Sequence, residues 1–491
     1  MKDVIKINEK DNVIVALHDL KKGNTYDGIT LLEDINRGHK IAITDIKENS
    51  NVVKYGMVIG HATRDIKKGE HVHVHNVKTN LSDIIEYKYN PHKIDIKKPE
   101  KSRKVNVYKR KDGQYGIRNE IWIIQTVACV SQQAKTIIER FKERYDTSKV
   151  DGIYTFDHPY GCSQLGDDHN TTKETLQNMV RHPNAGAVLI LGLGCENNQV
   201  PVFLQDLNYY DSNRLRYLII QNVEDEIEAG VKLLKELYNE IKDDKREEAD
   251  ISVLKVGLKC GGSDGLSGIT ANPLLGKFSD YLTSLGGTTI MAEVPEFFGA
   301  EQLLMNRAKN IDIYNKTVKM INDFKNYFIK HDQVIYENPS PGNKEGGITT
   351  LEDKSLGNIQ KSGSNYITDI LNITERIKEK GVNLISTPGN DLVSATAMAQ
   401  AGAQLILFTT GRGTPYGTFV PTIKVGTNTE ISTRKKNWID FNAGKLVEDI
   451  SMDELLENFI DLIVDVVNGK KTNNELNNFR QIAIFKFGVT L

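Results

Sequence analysis

LKCGGSDGLSGITANP (residues 258–273) decides how this chain is read. An apolar run, residues 251–258, ends in a glycine-rich turn that carries a thiol and a carboxylate. Three further stretches share that design: YGCSQLGDDHN (160–170), GLGCENNQ (192–199) and TGRGTPYG (410–417). Each sets a thiol, carboxylate, amide or guanidinium beside glycines at the end of an apolar run or strand. Side chains on strand-end turns converge at the edge of an α/β sheet, where ligands are held. Three of the four cysteines, Cys162, Cys195 and Cys260, sit in these turns, the arrangement of a site rather than of a core.

Working outward, residues 121–127, 153–156, 188–194 and 217–221 are apolar runs, followed by 251–258, 288–294, 384–387 and 405–409. Helical patterns lie between several of them. In residues 224–241, Ile227, Val231, Leu234, Tyr238 and Ile241 recur at helical spacing and predict an amphipathic helix. The charged run 242–250 reads as a solvated connection. Apolar strands alternating with helices imply mostly parallel sheets covered on both faces. The first 87 residues differ: runs at 12–17, 40–45, 52–60 and 71–77 are short and separated by Gly and Asn turns, which predicts a small β-rich domain. Residues 88–104, rich in lysine and holding two prolines, read as a linker. The expected organisation is therefore a β-rich domain over 1–87, the linker, an α/β domain over 105–245 and a C-terminal α/β domain over 246–491.

Lys and Arg number 63 against 65 Asp and Glu in 491 residues, so the electrostatic footprint of a nucleic-acid binder is missing. No run of about 18 apolar residues predicts a membrane span. The polar N-terminus and the sparse cysteines point to a reducing, cytoplasmic setting with free or metal-bound thiols. No Walker lysine loop, no dinucleotide fingerprint, no G-x-S-x-G and no H-E-x-x-H is present, which argues against a nucleotide cofactor.

On the segment EHVHVHN (residues 70–76), a side-chain period of two places His71, His73 and His75 on one face, with Val72 and Val74 turned to the core. The imidazoles then face solvent, a substrate or a metal. His39-Lys40 and Lys54-Tyr55 add cationic and proton-transfer groups suited to an anionic, hydroxyl-rich ligand. Thiolates on glycine turns bind Fe²⁺ or Zn²⁺, but the spacing of Cys162, Cys195 and Cys260 matches no local motif, so any shared ligation is left to the fold. His158, Asp167, Asp168 and His169 flank Cys162 as harder ligands, and buried free thiols are the alternative. Cys129, in VACV, reads as core. Arg412 is a candidate clamp for a carboxylate, because its fork matches one bidentately. The turn at Arg118-Asn119-Glu120 follows similar logic.

These stretches, together with RGHKIAITD (37–45), KYGMVIG (54–60), RHPNAGAVLILGLGCENNQ (181–199) and EVPEFFGAEQLL (293–304), resemble the altronate and galactarate dehydratase family over the whole chain. The N-terminal domain looks like an SAF domain, a small β fold. The resemblance implies a cytoplasmic hydro-lyase that takes water from D-altronate to give 2-dehydro-3-deoxy-D-gluconate in galacturonate catabolism. It also implies Fe²⁺, with Mn²⁺ as substitute and an iron–sulfur cluster as the rival. Galactarate, or the sulfolactate of a related lyase, is the alternative substrate, and a non-catalytic sugar-acid sensor is the alternative of another class. The implied partner is a small sugar acid, without nucleic acid or membrane, and a homo-oligomer is compatible. Removing a proton next to a carboxylate requires electrostatic stabilisation of an enolate, a base and an acid for the departing hydroxyl. The expected ligands are Cys162, Cys195, Cys260 and His158. His39, Lys40, His71, His73 and His75 are expected to carry protons, and Arg412, Asn390 and Lys54 to bind substrate.

Overall fold

Seven parallel strands form the spine of the molecule, in the spatial order Ile367–Leu371, Gly381–Ile385, Thr288–Met291, Lys255–Cys260, Leu405–Thr410, Thr422–Gly426, Phe441–Asn442. The computed structural model describes residues 2–82, 84–205, 207, 209, 211–448 and 450–490. Every residue of Leu405–Thr410 and of Thr288–Met291 is buried, as expected of strands covered on both faces. Alternate side chains serve different cores. Leu405 and Leu407 pack with helices Ala271–Ser284 and Met452–Val467, whereas Ile406 and Phe408 pack with helix Asp391–Gln400.

A second parallel sheet, in the order Gly152–Thr155, Glu120–Gln125, Ala185–Gly192, Leu215–Ile219, stands beside the first. Ile121, Ile123, Leu189 and Leu191 meet helices Ser131–Arg144 and Glu226–Ile241 on one face. Trp122, Ile124, Val188 and Ile190 on the other share a core with Ile406, Phe408 and Met398 of the large sheet. The two α/β units are thus welded by apolar side chains.

The N-terminal residues form small antiparallel sheets, one of Val4–Ile5, Val13–Ala16, Lys40–Ala42 and His71–Val72, another of Asn51–Lys54, Met57–Ala62 and Val77–Lys78. The apolar run 52–60 is a hairpin whose turn residues Tyr55 and Gly56 have φ of 62° and 72°. Two positive-φ residues match the twist of a tight hairpin. Val13, Val52, Ile59 and Val72 bury against Phe297, Phe298 and Leu304 of the C-terminal unit. This is the α/β architecture with a small β-rich N-terminal module that the sequence predicts.

Two stretches behave differently from their reading. Strand Lys104–Lys109 pairs antiparallel with Glu247–Asp250, so part of the charged run 242–250 is ladder rather than solvated connection. Val105, Val107 and Ile117 pack in the core that holds helix Met452–Val467, far along the chain. Among the described residues no helix is long and apolar enough to cross a membrane.

Candidate active site

The carboxyl ends of four neighbouring strands of the large sheet carry the chemistry. Chain order reverses beside Lys255–Cys260: Thr288–Met291 lies on one side and Leu405–Thr410 on the other. Such a switch point opens a crevice outside the strand ends. The glycine turns close it at short range: Gly261 N donates to Thr409 O (3.0 Å), and Gly411 N and Arg412 N both donate to Gly262 O (3.0 and 2.9 Å). A Cβ on Gly261 would stand 2.5 Å from an Asp391 carboxylate oxygen, so only glycine fits.

Over this edge lies a cavity of about 970 Å³, bounded by Cys260, Glu296, Lys354, Asn390, Asp391 and Arg412, with aromatic side chains of helix Ile311–Lys330 along one wall. Beneath it lies a lattice of three lysines and three carboxylates, all buried or nearly so except Asp391, whose side chain is 33% exposed, and Glu296, Lys354 and Asp391 of this lattice face the cavity. Lys259 donates to Glu293 and to Asp391 Oδ1 (2.7 Å), and Lys354 Nζ lies 2.8 Å from Glu296 Oε1. Lys361 donates to Cys260 Sγ at 3.0 Å, and the thiol lies 3.1 Å from Asn358 Oδ1. Glu293 sits at φ 76°, in the left-handed region, and its Oε2 is buried with no hydrogen-bond partner, Lys361 Nζ being 3.9 Å away. A strained non-glycine backbone and an orphaned carboxylate oxygen are features that functional sites hold.

Environment drives the two glutamates apart. Burial, and then the charge of Glu296, pushes Glu293 up from the usual carboxylate range. Burial acts on Glu296 in the same sense, but Lys354, Lys259 and Lys361 override it and hold Glu296 below that range. Burial raises the Cys260 thiol against the pull of Lys361, so it keeps its proton. Two carboxylates tuned in opposite directions are the mark of acid–base machinery.

A second cluster lies where the N-terminal module meets residues 345–353. His39 Nδ1 is 3.0 Å from His71 Nε2, and the His71 and His73 rings stack with centroids 5.4 Å apart. His73 Nδ1 lies 2.9 Å from Thr349 Oγ1, and His39 Nε2 donates to Glu345 O at 3.0 Å. Burial, helped by the neighbouring imidazoles and Lys40, pushes His71 down to about 3 and His73 to about 2. These imidazoles are therefore neutral. His75 is exposed, its ring 5.2 Å from that of His71. The four histidines come together, but not by strand alternation: the strand ends at Val72, the chain turns, His73 goes inward and Val74 outward.

Lys40 and Lys54, expected as proton carrier and substrate contact, are both fully buried around Asp353. Lys40 Nζ donates to Asp353 Oδ2 (2.9 Å) and Gly347 O (2.7 Å), and Lys54 Nζ to Asp353 Oδ1 (3.0 Å). They dock the N-terminal module. Asn390 caps helix Asp391–Gln400 through Leu392 N and Val393 N and lines the cavity. Arg412 lines it too, with Nη2 2.8 Å from Glu345 Oε2. Arg118 is instead buried in a structural pair with Glu475.

The four expected metal ligands are not brought together. Cys260 belongs to the large sheet, while Cys162 and Cys195 follow strands of the small one. His158 is buried with both ring nitrogens engaged: Nε2 donates to Gln125 O (3.0 Å) and Nδ1 accepts from Tyr160 N (3.2 Å). Two groups of three side chains hold ligand atoms within 4.8 Å of one another among the described residues: His39, His71 and His73, and Cys260, Glu293 and Glu296. The second is already neutralised by Lys259, Lys354 and Lys361. The first offers three neutral imidazoles, the form a divalent transition ion needs. Sequence reading missed Lys259, Glu293, Glu296, Lys354 and Lys361. Glu293 stands two residues past the end of strand Thr288–Met291, so the strand-end rule applied to the cysteines would have reached it.

Known protein families match the chain almost end to end. The C-terminal domain of D-galactarate/altronate dehydratases matches residues 251–490, the second domain of D-galactarate dehydratase/altronate hydrolase residues 107–242, and the altronate/galactarate dehydratase SAF domain residues 2–80. Altronate dehydratase of Escherichia coli (strain K12) is 56% identical over 99% of both chains. Altronate dehydratase of Bacillus subtilis (strain 168) is 55% identical over 100% of both. Galactarate dehydratase (L-threo-forming) of Escherichia coli (strain K12) is 32% identical over 98% of this chain and 96% of its own.

Proposed function

Because the chain belongs to the altronate/galactarate dehydratase family, we infer that it is a hydro-lyase that removes water from D-altronate to give 2-dehydro-3-deoxy-D-gluconate. The observation that carries the substrate is identity above one half, over full length, to two altronate dehydratases, against 32% to a galactarate dehydratase. The cavity floor supplies what the reaction demands.

Glu296, whose carboxylate faces the cavity, is the base for the proton on C2. Lys354 at the cavity, with Lys361 buried behind Cys260, supplies fixed positive charge for the enolate that forms, already oriented before substrate arrives. The Cys260 thiol, kept protonated by burial, is the donor for the departing C3 hydroxyl. Arg412 and Asn390 at the wall receive the acid end and hydroxyls of the substrate. The enol then tautomerises to the 2-keto acid.

His39, His71 and His73 would hold the Fe²⁺, or Mn²⁺, that such an enzyme uses. A bound divalent ion supplies Lewis-acid polarisation of a substrate oxygen. The imidazole cluster reaches the cavity through Glu345, whose carbonyl accepts from His39 and whose carboxylate accepts from Arg412. We place the reaction in the cytoplasm, with a small sugar acid as partner.

The test is anaerobic loading with Fe²⁺ followed by a 2-keto-acid assay on D-altronate, galactarate and sulfolactate side by side. Keto acid from altronate alone is expected. Turnover of galactarate or sulfolactate with altronate inert would overturn the substrate, and loss of all turnover would overturn the reaction.

A further inference from the structure

Helix Gly166–Val180 of the small-sheet unit carries Asp167 and Asp168 in its first turn, read from the sequence as hard ligands beside Cys162. The structure gives Asp168 a different partner. It is buried, and its carboxylate accepts from two successive backbone groups far along the chain. Phe487 N donates to Oδ1 and Gly488 N to Oδ2, both at 2.7 Å. A Cβ on Gly488 would stand 3.0 Å from Asp168 Oδ2, so the seat is a close one. Hydrogen bonds to an ionised acceptor are stronger than neutral ones, which makes this carboxylate an anchor for the segment. In the same unit Cys129, read from VACV as core, is exposed on a short 3-10 turn.

The chain leading to the anchor lies against the helices that wall the cavity. Ile482 and Ile484 are buried in the core shared by the two sheets. Ala483 N donates to Thr396 Oγ1 (3.0 Å) on helix Asp391–Gln400, whose first residues, Asp391 and Leu392, line the cavity. The rings of Phe485 and Phe487 meet edge to face with centroids 4.5 Å apart, and Phe487 meets Tyr327 at 5.9 Å. Tyr327 belongs to helix Ile311–Lys330 and lines the cavity as well. The segment therefore runs from the helix that supplies one wall to the helix that supplies another. Phe487 is nevertheless 65% exposed and Tyr327 43%. A ring left so far in water adds little to the core, so pinning its backbone to a buried acid serves another end.

The chemistry asks for such an end. About 970 Å³ lies at the top of the range of about 300–1,000 Å³ that holds a drug-sized ligand, so a six-carbon acid leaves much of the cavity to water. Fixed charges stabilise an enolate best once water is excluded, and enzymes exclude it by closing a segment over the bound substrate. With the sugar-acid reading above supplying the substrate, we propose that residues 485–488 are a strap over the outer side of the cavity, latched by Asp168 and bearing on its wall through Phe487 and Tyr327. Asp168, Phe487 and Tyr327 are then positioning residues: they act on the acid through the wall, not on its reacting atoms.

The experiment joins steady-state keto-acid assays with tryptic cleavage of the full chain. Phe487→Ala and Asp168→Ala should each raise KM for altronate by about 2- to 10-fold, the size of a lost ring contact, with kcat nearly kept. The double variant should go no further than the worse single one, because both changes act through one strap. Phe487→Tyr, which keeps the ring, should restore the wild-type KM. A fall in kcat with KM unchanged, the mark of lost folded protein, would overturn the positioning role, and so would additive effects on KM. Cleavage after Lys486, read by mass without any ligand, should be faster in Asp168→Ala than in wild type, and altronate should slow it in Glu296→Gln. Equal cleavage of wild type and Asp168→Ala would overturn the latch. Wild type inert on altronate, galactarate and sulfolactate would overturn the proposed reaction, and the cleavage comparison would still decide the strap.

Discussion

Lys354 and Glu296 form an ion pair of 2.8 Å on the cavity floor, both nearly excluded from water. Removing either partner strands the other charge in a buried place, so losing one member costs far more than the intact pair contributes. It also places a base and an enolate-stabilising cation side by side, which links the packing of the floor to its chemistry.

If Glu296 takes the C2 proton, Glu296→Gln lowers kcat by about 10²- to 10⁴-fold, the range for lost general-base catalysis. KM should change far less. Steady-state keto-acid formation gives both, and a KM effect with intact kcat would move Glu296 out of the proton-transfer role.

The Arg412–Glu345 pair bears on substrate choice. Glu345→Gln frees the guanidinium at the cavity wall, and the ratio of kcat/KM for galactarate over altronate should rise, because galactarate brings a second carboxylate for a bidentate partner. Arg412→Ala should raise KM for altronate. An unchanged ratio in Glu345→Gln would remove this pair from recognition.

Asp353 anchors Lys40 and Lys54, so Asp353→Asn leaves two ammonium groups buried without a counter-charge and should cost about 3–5 kcal/mol in urea unfolding. Burial would raise the Asp353 carboxyl, yet the two lysines hold it far below the usual range. A depressed folded pKa stabilises fully above the unfolded value, about 3.9, and that stability is lost as pH falls below it. Wild-type stability should therefore drop steeply with acid below pH 4, and the drop should be shallower in Asp353→Asn.

For the imidazole cluster, His71→Asn and His73→Asn should each weaken binding of Fe²⁺ by at least about 10-fold, the low end of what lost support at a metal site costs. Anaerobic titration calorimetry reads this directly. Equal affinity in wild type and both variants would take the ion elsewhere.

Local pattern was enough for the elements. The buried strands Thr288–Met291 and Leu405–Thr410 announce themselves by continuous apolar runs, and helix Glu226–Ile241 by its period. The strand Lys104–Lys109 was not legible, because its partner Glu247–Asp250 is distant and charged. Only the ladder makes it a strand. The imidazole row was found through a period of two that the backbone does not keep: a turn after Val72, rather than a pleat, collects the rings.

What the sequence by itself determined is the class of the fold, the glycine turns where chemistry is carried, and the family. These follow from residues near one another in the chain, where period, turn chemistry and motif act. The tertiary structure alone decided which of those turns share a site. It sends Cys260 to a lysine–carboxylate floor, Cys129, Cys162 and Cys195 to another sheet, and Lys40 and Lys54 to a shared buried aspartate. Strand order across a sheet and the charges that meet in its core arise from contacts between distant residues, and no spacing along the chain encodes them.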